Sequence, residues 1–388
     1  MIVTPVRGGA DLRDFIAYPL GRHPTERYVP HAQDSIRRWH RGTGPHVEHG
    51  PVELVLVRDD AGQVVGRSTV HSDTRMDTRL GEPTMLLGLT EFDGLTALCA
   101  ISGYAERRAR EQGCTALLGP VSLLPNQVGG VITSGFTERG FVDSAWNPPA
   151  YPEQWQQAGF TPIWPSSTWI CEGLGDLDPD TVFGGAARPG GAARTNEAAR
   201  TLEAPSLRPG VTLHRGSRRH LREQLPLLRS MLNQSFAELP YYTPITAAEL
   251  DVQTDGLQWV LDESLFLWVE QDGVPVAFVL TVPDLSRFLI STGGRLAVPD
   301  QLRLLATRHR HRDEAVLVVK GTVPGARGQG LMSLLSHRLL VNLQAGGYRS
   351  LRVTFVGEDN TASAAQFEAM GGRRLHGVAF YRRGLEDA

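Results

Sequence analysis

The stretch Val319–Leu340, VKGTVPGARGQGLMSLLSHRLL, decides how the rest of the chain is read. It passes from an apolar strand through a Gly-rich turn into an amphipathic helix with Leu331, Leu334, Leu335 and Leu339 on one side. A helix start leaves its first backbone N–H groups without intrahelical partners, and glycines keep side chains from crowding them. Such a start is a cradle for a phosphate or diphosphate. A Walker A loop does not fit, because Leu331 and Met332 stand where its Lys and hydroxyl residue belong after Gly325 and Gly330. A dinucleotide fingerprint fails too: Gly328-Gln329-Gly330-Leu331-Met332-Ser333 lacks the third glycine, and only about sixty residues follow it, too few for a βαβαβ series.

Working outward, strand Ala315–Gly321 is followed by helix Arg327–Ala345, closed by Gly346-Gly347, then strand Ser350–Val356, helix Asn360–Met370 and strand Arg373–Arg383. Upstream lie strand Val211–His214, helices Arg219–Phe236 and Ala247–Leu261, and a hairpin Leu265–Thr281 turning at Asp272-Gly273. The first half carries the same order. A hairpin, Val52–His71, turns at Asp59 to Gly62, and strand Met85–Thr90, helix Gly94–Gln112 with its capping Gly113, and strand Cys114–Leu118 follow. Between the halves, Glu172–Pro209 is rich in Gly, Pro and Arg and has no aromatic residue after Phe183, which reads as a mobile linker or surface excursion. The expected division is therefore 1–171, 172–209 and 210–388.

The strand, Pro324, the turn Ala326-Arg327-Gly328-Gln329-Gly330-Leu331 and the helix together resemble the GNAT N-acyltransferase superfamily. Its motif A, [QR]-x-x-G-x-[GA], holds the pyrophosphate of acetyl-CoA. Gly328 and Gly330 match the small positions, whereas Gly325 stands where Gln or Arg is usual, with Arg327 beside it as a substitute phosphate contact. Gly119 to Phe160, with Trp146-Asn147-Pro148-Pro149-Ala150-Tyr151, resembles a GNAT-like branch in which GP-x-N/S and YNPPYY-like segments follow a degenerate first unit. The resemblance implies an α/β fold of two GNAT-like domains in tandem, each a mostly antiparallel twisted sheet flanked by helices. Phe92-Asp93-Gly94 replaces the Gly-rich turn in the first unit, so only the second is expected to hold acetyl-CoA or another acyl-CoA.

The same resemblance assigns roles. Backbone N–H groups around Thr322 and Val323 are expected to serve the pantetheine arm and the oxyanion, and Arg327, Gly328, Gln329, Gly330 and Leu331 the diphosphate. Asn360 matches the motif B asparagine, although an N-cap is an equal reading. The position that often supplies a tyrosine to protonate the thiolate is Phe367, and Tyr381 is the expected substitute. Base candidates are Glu314, Asp313 and Glu238. Tyr241 and Tyr242, in the loop Ser235–Pro244, are expected acceptor contacts, with core packing as the alternative for one of them.

Composition narrows the field. At 388 residues and 41% hydrophobic content, the chain can bury packed cores, and a net charge of -3 excludes a polyanion binder that works by bulk attraction. No apolar run approaches a bilayer span and no leader is evident at the start, so a cytoplasmic protein is expected. Cys99, Cys114 and Cys171 lack paired spacing and read as buried reduced thiols, with no metal site. Lys320, the only lysine, reads as a solvated strand-end charge. Arg308 to Arg312 reads as a solvated run, or as a patch for the 3′-phosphate of CoA, a carrier protein or tRNA. The leading expectation is an N-acyltransferase joining an acyl-CoA to a small-molecule amine or amino acid. A carrier-protein or aminoacyl-tRNA donor, and a non-catalytic CoA-binding protein, are the alternatives.

Overall fold

The computed structural model describes residues 1–123, 129–183 and 209–385. In the first half, strands β1 (Ile2–Pro5), β2 (Val52–Arg58), β3 (Val64–His71), β4 (Thr84–Phe92), β5 (Ala116–Gly119), β6 (Val131–Ser134) and β7 (Thr161–Glu172) alternate with helices α1 (Gly9–Ala17), α2 (Gln33–Arg41), α3 (Thr74–Leu80), α4 (Gly94–Glu111) and α5 (Tyr151–Gln157). A short helix α6 (Pro179–Phe183) ends this half.

The second half contains β8 (Val211–Arg215), α7 (Leu221–Ser235), α8 (Ala247–Gln253), α9 (Leu257–Val260), β9 (Phe266–Gln271), β10 (Val274–Pro283), α10 (Ser286–Thr292), α11 (Val298–Thr307), β11 (Glu314–Thr322), α12 (Leu331–Ala345), β12 (Ser350–Gly357), α13 (Thr361–Ala369) and β13 (Arg373–Gly384). Most predicted boundaries agree within two or three residues. The predicted helix Ala247–Leu261 is instead broken into α8 and α9, where Gly256 takes a left-handed φ of 79°.

All thirteen described strands join one sheet in the order β1-β2-β3-β4-β5-β13-β7-β12-β11-β10-β9-β8, with β6 beside β13. The pairs β4–β5 and β11–β12 are parallel, and the rest are antiparallel. Each half thus contributes a five-strand series whose last two strands are parallel and joined by a long helix, α4 or α12. The final strand of each half sits beside the fifth strand of the other: β7 pairs with β12 and β13 with β5. Two strands therefore cross the expected division at 171 and 210.

Helices cover both faces. Leu331, Leu335, Leu339, Leu340 and Leu343 of α12 are buried with Phe367 of α13 on one side of the second half, and α7 and α8 bury Leu225, Leu228, Met231 and Leu250 on the other. Each such leucine contributes about 1.5–3 kcal/mol relative to exposure. The expected linker docks at its beginning, since Leu174 and Phe183 join the α12 core. Its remainder, residues 184–208, lies outside the described residues. Cys114 and Cys171 are buried, while Cys99 is exposed, which corrects one third of the thiol expectation. Among the described residues no helix is long and apolar enough to cross a membrane, and no group of His, Cys, Asp and Glu is arranged to hold a metal ion.

Candidate functional site

Strands β11 and β12 pair only from Glu314↔Ser350 to Leu317↔Val353, although β11 runs on to Thr322 and β12 to Gly357. Beyond Leu317 the strands part. β11 stays with β10 as far as Ala277↔Thr322, so it is β11 that follows one neighbour and leaves the other. The Thr354 hydroxyl donates to the Val318 carbonyl at 2.8 Å and marks the vertex of the wedge. A bulge opposite Leu280/Thr281 adds one residue at Val318 and shifts the alternation of side chains. Lys320 is thereby turned toward the α13 face already occupied by Ala315 and Leu317.

At the end of β11 the Val323 N–H donates to the Val276 carbonyl at 2.9 Å. In an antiparallel pair successive residues face opposite edges, so the amides of Thr322 and Lys320 face the open wedge. The Thr322 N–H therefore faces the wedge, whereas Val323, expected to serve beside it, has its amide engaged. The chain then makes one turn of 3-10 helix at Pro324–Ala326, and Gly328 and Gly330 take φ of 76° and 78°. Both lie in the region where a Cβ is costly. A Cβ built on Gly325 or Gly328 would meet no atom within 4 Å, so the space before the helix is open.

No side chain caps α12, and its first backbone bond runs from Leu334 N–H to the Gly330 carbonyl at 3.1 Å. The earlier amides of Leu331, Met332 and Ser333 are free of the described residues, and the positive end of the helix dipole points the same way. A wedge of unpaired strand edge thus leads into an anion cradle.

No known protein-family profile matches the chain. It is similar to Protein YghO of Escherichia coli, with 24% identity over 74% of this chain and 69% of that one, and to the bacterial ceramide synthase of Caulobacter vibrioides, with 22% identity over 99% and 97%. Among solved structures, a tandem GNAT protein from the clavulanic acid biosynthesis pathway superposes with a TM-score of 0.57 at 14% identity, covering 100% of this chain and 99% of that one. A GCN5-related N-acetyltransferase from Sphaerobacter thermophilus gives 0.52 at 12%, covering 100% and 96%. The chain folds as two GNAT units in tandem.

Within this GNAT frame the expected site residues separate. Arg327 donates its own N–H to the Pro324 carbonyl, and its guanidinium binds the Glu238 carboxylate at 2.7 Å and the Ser235 carbonyl at 3.0 Å. Glu238 and Arg327 thus occupy each other at the rim. The Gln329 side chain donates to the Gly325 carbonyl at 3.3 Å. Asn360 caps α13 by accepting from Ser363 N–H at 3.1 Å, so the capping reading is the one observed.

Glu314 is misplaced as a base. It lies at the paired end of β11, bound by Arg139, by Arg287 at 3.0 Å and by Arg352 at 3.0 Å. Asp313, one residue earlier, offers its carbonyl to the amides of Arg349 and Ser350 at that same end. Tyr381 is also misplaced: it is 1% exposed, packed on Trp155, and paired with Gly119 of β5. Three strand spacings, about 14 Å, separate β13 from β11. The run Arg308–Arg312 precedes Glu314, so the length of β11, about 26 Å, lies between it and the cradle, which removes the 3′-phosphate reading.

The loop between α7 and α8 meets the wedge through Tyr241. Its ring packs against Phe355 of β12 and Trp164 of β7, at centroid distances of 5.2 and 5.6 Å, and Phe380 of β13 completes an aromatic wall. Tyr242 is a pin, with its hydroxyl donating to Asn233 Oδ1 at 2.6 Å while Ile245 N–H donates to the same oxygen at 2.8 Å. The first half braces this loop from outside. Arg79 donates to the Leu239 carbonyl, and Arg75 binds the Pro244 carbonyl and the buried Glu249 carboxylate, with Nη2 2.8 Å from Oε1. Trp164, Phe355 and Phe380 lie on three strands that become neighbours only through the exchange of β7 and β13. No local motif signals them.

Proposed function

We propose that the chain is an N-acyltransferase that takes acyl-CoA at the Gly-rich turn and delivers the acyl group to an amine by direct attack in a ternary complex. The observation that carries this reading is the open, uncapped start of α12 placed beyond the parted strands β11 and β12. The amides of Gly328 to Ser333 bind the diphosphate, and the free edge of β11 receives the pantetheine arm. The Thr322 amide faces the thioester carbonyl and stabilises its oxyanion, a contribution of about 2.7–4 kcal/mol for a preorganised donor. The acceptor amine approaches along Tyr241, Trp164, Phe355 and Phe380.

An aromatic wall of this extent suits an acceptor with an apolar chain better than a free amino acid. A relative named as a ceramide synthase, aligned over nearly the whole of both chains, supports the same direction, since a ceramide is an N-acylated lipid amine. The test is release of free CoA thiol from acyl-CoA with dodecylamine as acceptor, beside CoA binding by the wild type and Gly328→Asp. The reading expects amine-dependent thiol release and a loss of CoA affinity of at least about 100-fold in the variant, whose carboxylate opposes the diphosphate at short range. Undiminished CoA binding by Gly328→Asp contradicts it. CoA binding without thiol release for any amine leaves a non-catalytic CoA protein. Release only from acyl groups on a carrier protein or tRNA moves the donor to that class.

A further inference from the structure

Lys320 belongs to the part of β11 that has parted from β12. Its side chain projects from the face covered by α13, where Nζ donates to Gln366 Oε1 at 2.5 Å and lies 4.3 Å from the centre of the Phe367 ring. The solvated strand-end reading is thereby corrected, and the bulge at Val318 is its cause. No carboxylate among the described residues pairs with this ammonium. The titratable group that faces it is the buried Cys171 thiol of β7, held neutral because burial pushes its pKa up to about 12.

An ammonium satisfied by one amide oxygen and one ring face is a poor structural element. Methionine would fill the same space without desolvating a charge. The chain uses arginine everywhere else, yet arginine cannot release a proton, whereas lysine can. Burial also lowers the Lys320 pKa to about 7, close to the value that suits a proton donor at neutral pH.

Resting on the acyl-CoA reading above, we propose that Lys320 is the catalytic acid that protonates the sulfur of CoA as the thioester breaks. The acceptor nitrogen forms its bond to the carbonyl carbon, the C–S bond breaks, and the sulfur takes one proton from Lys320 Nζ. The new amide loses one proton to water, and Lys320 regains one from solvent. The net reaction yields the amide and the free thiol, with no other reactant. Phe367 supports the ammonium through its ring face, and Gln366 orients it.

The experiment measures CoA affinity and the pH dependence of kcat for amine-dependent thiol release. It compares the wild type with Lys320→Met, the variant of similar volume. In the wild type kcat falls as pH rises past the point where Lys320 loses its proton, near 7. In Lys320→Met kcat is lower by at least about 100-fold and that fall with pH is absent, while CoA still binds. Equal kcat and equal pH dependence in both proteins, each with CoA bound, overturns the assignment of Lys320 and leaves the CoA site standing. Failure of the wild type to bind CoA overturns the acyl-CoA reading and this proposal with it. Lys320→Gln serves in place of Met if the latter does not fold.

Discussion

The two halves carry the same strand–helix–strand scaffold and differ at the point where strand gives way to helix. At α12 the turn is Gly328-Gln329-Gly330, and the space before the helix is open. At α4 the corresponding residues are Phe92-Asp93-Gly94, and Asp93 places a carboxylate at the helix start, held by Arg22 at 2.9 Å. A diphosphate would meet a like charge there.

The strand edge differs as well. Phe92 N–H donates to the Tyr151 hydroxyl oxygen at 2.8 Å, the same hydroxyl donates back to the Phe92 carbonyl at 3.0 Å, and the rings stack with centroids 4.0 Å apart. A side chain of the first half thus occupies the backbone groups at the end of β4. The scaffold alone does not make a ligand site; a few residues at one junction decide whether its amides are offered outward or used within.

The first half has a second use, as a brace for the loop that carries Tyr241. Arg75→Ala should have the largest effect on stability, lowering it by about 3 kcal/mol, because it leaves the buried Glu249 carboxylate without its guanidinium. Urea melts measure this, and a change of under about 0.5 kcal/mol would show that the brace is incidental. Tyr151→Phe removes the hydroxyl that satisfies both Phe92 groups and should cost about 1–3 kcal/mol, with CoA affinity unchanged. Altered CoA affinity in that variant would place a ligand in the first half and break the contrast.

Asp93→Gly should have the smallest effect. Removing the charge leaves Tyr151 in place, so calorimetric titration should give the same CoA stoichiometry as the wild type. A second CoA site would show that charge alone had closed α4.

What could be read from sequence follows from the range of the forces involved. The Asp272-Gly273 turn was legible because left-handed φ, 51° and 78° here, is a local demand. The amphipathic faces of α4 and α12 were legible for the same kind of reason. The place of β7 was not: Pro162 and Pro165 argue against a strand, and its pairing with β12 and β13 depends on residues far along the chain. The cradle glycines could be found because they are contiguous. Lys320 was misread because a one-residue bulge reverses which face a strand residue takes, and nothing in VLVVKGT announces it. Glu314 and Tyr381 were misassigned because a strand's sequence does not say which of its ends opens.

Hydrogen exchange of the full chain, with and without CoA, tests the central contrast most directly. The account predicts that CoA slows exchange at the amides of Gly328 to Ser333 and leaves those of Asp93 to Thr96 unchanged. Protection at Asp93 to Thr96, or none at Gly328 to Ser333 when CoA is bound, would contradict it.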